Sequence, residues 1–142
     1  MRLDKFIFCE GIRHEANGLV TLVGVVPGDN LQAIAERGVP IALPMFCCYA
    51  VFDYVNGLRD FELQCEVSGG AAVLQRTPIH KVTRDRPQQR SHGQGIAIAP
   101  FVVPGPGTYT FTLIVRAGGE TQKFSRRLVI EGVERDPAKS VH

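Results

Sequence analysis

The sequence predicts an all-β protein, a single antiparallel β-sandwich of about eight strands. Three observations carry this. Apolar and polar residues alternate in several segments with a period of two, the period of a strand with one buried face. Gly and Pro supply 15 and 9 of the 142 residues, so turn-forming residues recur along the whole chain. No segment repeats its apolar residues at the spacing of an amphipathic helix.

Taken in order, the first strand is expected over residues 6–9. Asn17-Gly18 then offers residues that tolerate positive φ, and a second strand follows over 19–26. Residues 30–37 are ambiguous: Asn30 can cap a short helix that Gly38 ends, but Pro40 and Pro44 beyond it favour an extended connector. Residues 45–55 are nearly continuously apolar, which suits a central strand covered on both faces. Phe61, Leu63, Cys65 and Val67 alternate with Glu62, Gln64 and Glu66, placing the carboxylates on a solvated face. A turn at Ser68-Gly69-Gly70 leads to a strand over 71–76, and another is expected over 95–103. After Pro104-Gly105-Pro106-Gly107 comes the strand 108–116, with Tyr109, Phe111, Leu113 and Val115 inward and threonines outward. The turn at Ala117-Gly118-Gly119-Glu120 returns the chain as a last strand over 123–130. This closing hairpin gives the sandwich an immunoglobulin-like general form, and Tyr109 is placed to hydrogen-bond back to the turn before it, as corner tyrosines do.

A mass of 15.6 kDa suits one domain, expected over residues 1–133, with a polar tail over 134–142. Hydrophobic residues at 44% and charged residues at 21% are ordinary for a folded domain. The absence of a long apolar run excludes a membrane-crossing helix, and the apolar stretch near the N-terminus is too short for a secretory leader. A cytoplasmic protein with no membrane partner is therefore expected. Cys9, Cys47, Cys48 and Cys65 form no C-x-x-C pair and have no histidine at metal-ligand spacing, so no metal site is expected. Buried free thiols in a reducing compartment are the economical reading, with a Cys9–Cys65 disulfide left open.

Charge is distributed unevenly. Residues 1–70 hold five Lys or Arg against nine Asp or Glu, whereas residues 71–142 hold eleven against five. Most of the excess falls in a basic loop expected over 76–94, where Arg76, Lys81, Arg84, Arg86 and Arg90 accompany His80 and His92 against the single acid Asp85. Lys123, Arg126 and Arg127 add positive charge on the last strand. Three readings of the segment stay open: a solvated loop, an arm that docks on the acidic half of another copy, and a surface that grips phosphates. It contains no aromatic residue for base stacking, which weighs against single-strand recognition.

Two segments carry a resemblance. Phe8-Cys9-Glu10, Asn17-Gly18-Leu19 and Leu22-Val23-Gly24-Val25 at the start, with Pro100-Phe101-Val102-Val103 and Pro106-Gly107-Thr108-Tyr109-Thr110-Phe111 towards the end, are similar to a family of small uncharacterised bacterial β-sandwich proteins. The resemblance spans about residues 6–130 and implies a fold but no activity. No nucleophile elbow, phosphate-binding glycine loop or dinucleotide fingerprint occurs. Glu62 and Glu66 do not suit a glycosidase cleft in a chain without tryptophan. The expectation is a non-enzymatic protein-interaction or structural module without a cofactor, for example a subunit of a bacterial or phage-type assembly that contacts further copies of itself. The alternative is a nucleic-acid or anion-binding protein that uses residues 76–90.

Overall fold

The computed structural model describes residues 1–53, 60–83 and 90–133. These form strands joined by turns, with one 3-10 turn at Pro27–Asp29 and no α-helix among the described residues. In chain order the strands are β1 (Arg2–His14), β2 (Val20–Val25), β3 (Asn30–Ile34), β4 (Ile41–Leu43), β5 (Phe46–Asp53) and β6 (Phe61–Gly69). They continue as β7 (Ala72–Arg76), β8 (His80–Val82), β9 (Ser91–Ile98), β10 (Phe101–Val103), β11 (Gly107–Ala117) and β12 (Glu120–Val133). A four-stranded sheet has the order β2-β1-β5-β9. A six-stranded sheet runs β3-β12-β11-β6-β7, with β8 also paired to β6, and β4 and β10 form a small ribbon. All pairings are antiparallel except that of β3 with β12.

The all-β prediction holds, but the described residues form twelve strands rather than about eight. The ambiguous stretch 30–37 contains β3, whose register runs from Asn30 opposite Val129 to Ile34 opposite Val133. A partner about a hundred residues away decides its conformation, which local propensity cannot show. β4 lies between Pro40 and Pro44, and β8 lies inside the segment read as a basic loop. The single strand expected over 95–103 is two strands, because the chain turns at Ala99-Pro100, a cis peptide, and leaves β5 for β4. Residues 54 and 55, at the end of another expected strand, lie outside the described residues, as does the 134–142 tail.

The larger sheets meet through aromatic side chains. Phe111 of β11 is fully buried, with ring centroids 4.8 Å from Phe8, 5.8 Å from Phe46 and 5.8 Å from Phe101. Phe8 and Phe46 belong to the four-stranded sheet, so this cluster joins the two layers. Phe52 with Phe61 at 5.6 Å repeats the contact further along. The alternation read in the sequence is present: Phe61, Leu63, Cys65 and Val67 are buried, as are Tyr109, Phe111, Leu113 and Val115. Ile114 is also buried, although on the outer face, where its register neighbours are Gln64 and Lys123. The Tyr109 hydroxyl donates to the Gly105 carbonyl, as the corner reading expects.

One end of the four-stranded sheet bends. Cys9 and Cys47 lie directly opposite each other, on the face away from the aromatic core, yet both are buried. The cover is local: Ile12 Cδ1 comes so close to Gly95 that a Cβ built there would lie 2.7 Å from it. The far end of the β1–β2 hairpin therefore curls across the sheet toward β9, and glycine at 95 leaves room for it.

Candidate functional site

The residues singled out by charge do not form one site. Arg76 ends β7, opposite Glu66 of β6, and its Nε donates to the Glu66 carboxylate at 2.9 Å. Lys81 lies on β8 opposite Glu62, and Glu62 is in turn opposite Arg116 of β11. Neither Lys81 nor Arg116 forms an ion pair with a described residue. Together with Asp60, Phe61 and Gly118 they border a depression of about 450 Å³ at the end of the six-stranded sheet. Arg90 is exposed and leads into β9, on the other sheet. Arg84 and Arg86 lie outside the described residues. Within the expected loop 76–94, the described residues 76, 80–82 and 91–94 are strand, so Arg76 and Lys81 are displayed on a sheet rather than carried by a loop.

The basic residues of the last strand divide similarly. Lys123 and Arg127 are exposed, but Arg126 is committed to the fold. Its Nε donates to Asp29 at 2.9 Å, another nitrogen donates to the Phe6 carbonyl, and the guanidinium lies 5.9 Å from the Phe8 ring centroid. Arg126–Asp29 and Arg76–Glu66 each join a base from the second half of the sequence to an acid from the first. Part of the charge asymmetry is thus neutralised within one molecule, which weakens the case for a dipolar surface.

The cysteines are poorly placed for nucleophilic chemistry. Burial, with Cys47 alongside, pushes the Cys9 thiol up to about 11. Burial raises Cys47 as well, and the hydrogen-bonded contact with Cys65 in a dry core raises Cys48 well above the usual thiol range. A reactive cysteine needs the opposite shift. All four are free thiols, so Cys9 and Cys65 are not linked. His92 contacts Gln94 and packs edge-on against Phe61. Among the described residues no group of three or more His, Cys, Asp or Glu side chains could hold a metal ion. No helix among them is long and apolar enough to cross a membrane.

The feature that charge bookkeeping missed is the flank where β2 and β3 lie. Each is the end strand of its sheet, and neither contains a charged residue or a proline. Their side chains leave apolar surface in water: Val23 is 43% exposed, Val25 52% and Ile34 70%. Val23 and Met45 both lie against Gly11, extending the patch onto β1. Edge strands are ordinarily protected by charges, prolines or cover, because their unpaired N–H and C=O groups accept another strand. Between these two edges lies a cleft of about 490 Å³ bordered by Glu10, Gly24, Val26, Asn30, Leu31 and Gln32. The sequence signal was available in Val-Thr-Leu-Val-Gly-Val and Asn-Leu-Gln-Ala-Ile, two uncharged runs, but only the sheet order makes both of them edges.

No protein-family model matches the chain, and no curated protein sequence matches it.

Proposed function

We propose that this chain is a non-enzymatic protein-interaction or structural module of immunoglobulin-like sandwich form, akin to the small bacterial β-sandwich proteins its opening and closing strands resemble. In this reading it acts in the cytoplasm as a subunit of a bacterial or phage-type assembly and associates with further copies of itself. The supporting observation is the pair of uncharged edge strands β2 and β3 on one flank. A second copy is the favoured occupant because a two-fold axis across β2 sets Val-Thr-Leu-Val-Gly-Val antiparallel to itself without bringing like charges together. The added strand supplies the missing backbone hydrogen bonds and covers Val23 and Val25.

Native mass spectrometry and light scattering test this together. The expected result is discrete multiples of 15.6 kDa for the native chain and a monomer for Val23→Lys. Val23 is exposed, so the replacement should leave thermal stability nearly unchanged. A native chain that stays monomeric at high concentration, or a Val23→Lys variant that assembles normally, refutes the reading.

The alternative, binding of nucleic acid or another polyanion, draws support from the outer face of the six-stranded sheet. Lys81, Arg116, Lys123 and Arg127 alternate there across β8, β11 and β12. A phosphate-directed surface predicts affinity for duplex DNA that falls steeply with salt and is lost when Lys81, Arg116 and Lys123 are replaced together. Binding unaffected by salt excludes it.

A further inference from the structure

Two of the four thiols form a pair outside the aromatic core. Cys9 of β1 and Cys47 of β5 are register partners on the outer face of the four-stranded sheet, and both are buried. The Phe8 carbonyl accepts from the Val26 amide, so the backbone groups of Phe8 point to β2 and those of Cys9 point to β5. Cys9 and Cys47 are therefore a hydrogen-bonded pair, whose β-carbons stand about 5.5 Å apart. A disulfide draws β-carbons to about 3.8 Å, so this width suits two separate sulfurs better than a bond between them.

A third sulfur belongs to the same face. Met45 precedes Cys47 by two residues, Gly11 follows Cys9 by two, and the Met45 methyl lies 4.0 Å from where a Gly11 Cβ would be. Strand alternation puts this contact on the side of both thiols, and the missing side chain at Gly11 leaves the space into which Met45 leans. Cys9 and Cys47 are 0% and 2% exposed, whereas Met45 is exposed, so the thioether is the donor that solvent reaches. The Gly11 N–H also donates to the Cys9 sulfur and favours its thiolate, although burial outweighs it in the free thiol.

The donor set decides the ion. Soft thiolate and thioether ligands select Cu(I) over harder divalent ions. Structural zinc takes four ligands in a tetrahedron, and among the described residues no third Cys, His, Asp or Glu joins this pair to complete such a set. We infer that Cys9, Cys47 and Met45 bind one Cu(I) ion on the outer face of the four-stranded sheet. The ion displaces one proton from each thiol and keeps its oxidation state, forming two copper–thiolate bonds with the thioether as third ligand. The curled end of the β1–β2 hairpin, with Ile12 against Gly95, keeps water from the thiolates. This goes beyond the structural-module reading and does not depend on self-association.

The test is an oxygen-free titration of the reduced full chain with Cu(I) against the chromophoric chelator bathocuproine disulfonate, with native mass spectrometry for stoichiometry. The expected result is one Cu(I) per 15.6 kDa chain, withdrawn from the chelator and not displaced by equimolar Zn(II). Cys9→Ala and Cys47→Ala should each weaken binding at least about a hundredfold, and Met45→Leu about tenfold. Because Met45 is exposed, Met45→Leu should keep the native melting temperature, so it tests the site even where a cysteine variant fails to fold. Cys65→Ala removes a thiol of the aromatic core instead and should leave the affinity unchanged. The inference is overturned by a chelator that keeps its Cu(I), by unchanged affinity in Met45→Leu, by loss of binding in natively folded Cys65→Ala, or by displacement by zinc.

Discussion

Arg126 offers the most decisive stability test, because the sequence reads it as surface charge and the structure makes it a clamp. Arg126→Met retains most of the aliphatic stem and removes the guanidinium. Three contacts are lost. The side chains of the Asp29 pair are 41% and 32% exposed on Arg126 and Asp29, so screening limits that pair to about 1 kcal/mol. The bond to the Phe6 carbonyl is worth about 1 kcal/mol, and the approach to the Phe8 ring adds about 0.5 kcal/mol. The expected loss is therefore about 2.5 kcal/mol, which in a domain of this size lowers the melting temperature by roughly 10 °C. Urea denaturation followed by circular dichroism measures it directly. Asp29→Asn completes a double-mutant cycle without backbone penalty, since Asp29 sits at φ 56°, where asparagine is also well tolerated. A coupling of about 1 kcal/mol is expected. A loss below about 0.5 kcal/mol with no coupling would show Arg126 to be an ordinary solvated charge.

Tyr109→Phe removes only the hydroxyl donated to Gly105 and should cost about 1 kcal/mol in the same urea assay; a neutral result would mean the corner contributes nothing to holding the turn. Gly93→Ala forces a methyl group to within 1.9 Å of the Tyr49 hydroxyl, so a loss of about 1–3 kcal/mol is expected, and Tyr49→Ala in the same chain should recover much of it. The thiols predict an alkaline limit. Folding raises Cys9 from an ordinary 9.0 to about 11, so the folded state keeps its proton where the unfolded chain has lost it. Stability from this source is complete below about pH 9 and declines as pH rises towards 11, and urea midpoints measured across that window should fall less steeply in Cys9→Ala. At pH 8 an aromatic disulfide reagent should find almost no reactive thiol in the native protein and four after denaturation, and rapid native labelling would contradict the burial of Cys9 and Cys47.

The legible part of the fold was whatever one strand and its own turn decide. Alternation in residues 61–67 and 109–115 placed eight side chains on the correct face, and Tyr109 could be assigned its hydrogen bond from the turn it follows. What could not be seen depends on distant partners. β3 becomes a strand because β12 lies beside it, and β10 leaves β9 because β4 is available. The site was less legible for the same reason. Arg76 and Lys81 fell on strands of the six-stranded sheet while Arg90 precedes β9 of the other, Arg76 met Glu66, and Arg126 met Asp29. Cys9 and Cys47 looked like core thiols; they are buried, but beneath the curled end of a hairpin rather than in the aromatic interior.

The parallel pairing of β3 with β12 has a consequence for the order in which the protein is made. β3 emerges from the ribosome early, yet its partner β12 is the last strand among the described residues, and Asn30 cannot meet Val129 until nearly the whole described chain exists. Closing so long a loop is slow. During translation, Leu31 and Ile34 therefore wait as an uncharged segment with both backbone edges open, a window in which wrong pairing competes with the right one. β11 and β12, joined by a tight turn, can form their hairpin as soon as they appear, so β3 joins its sheet when an old strand is captured by a newly completed one.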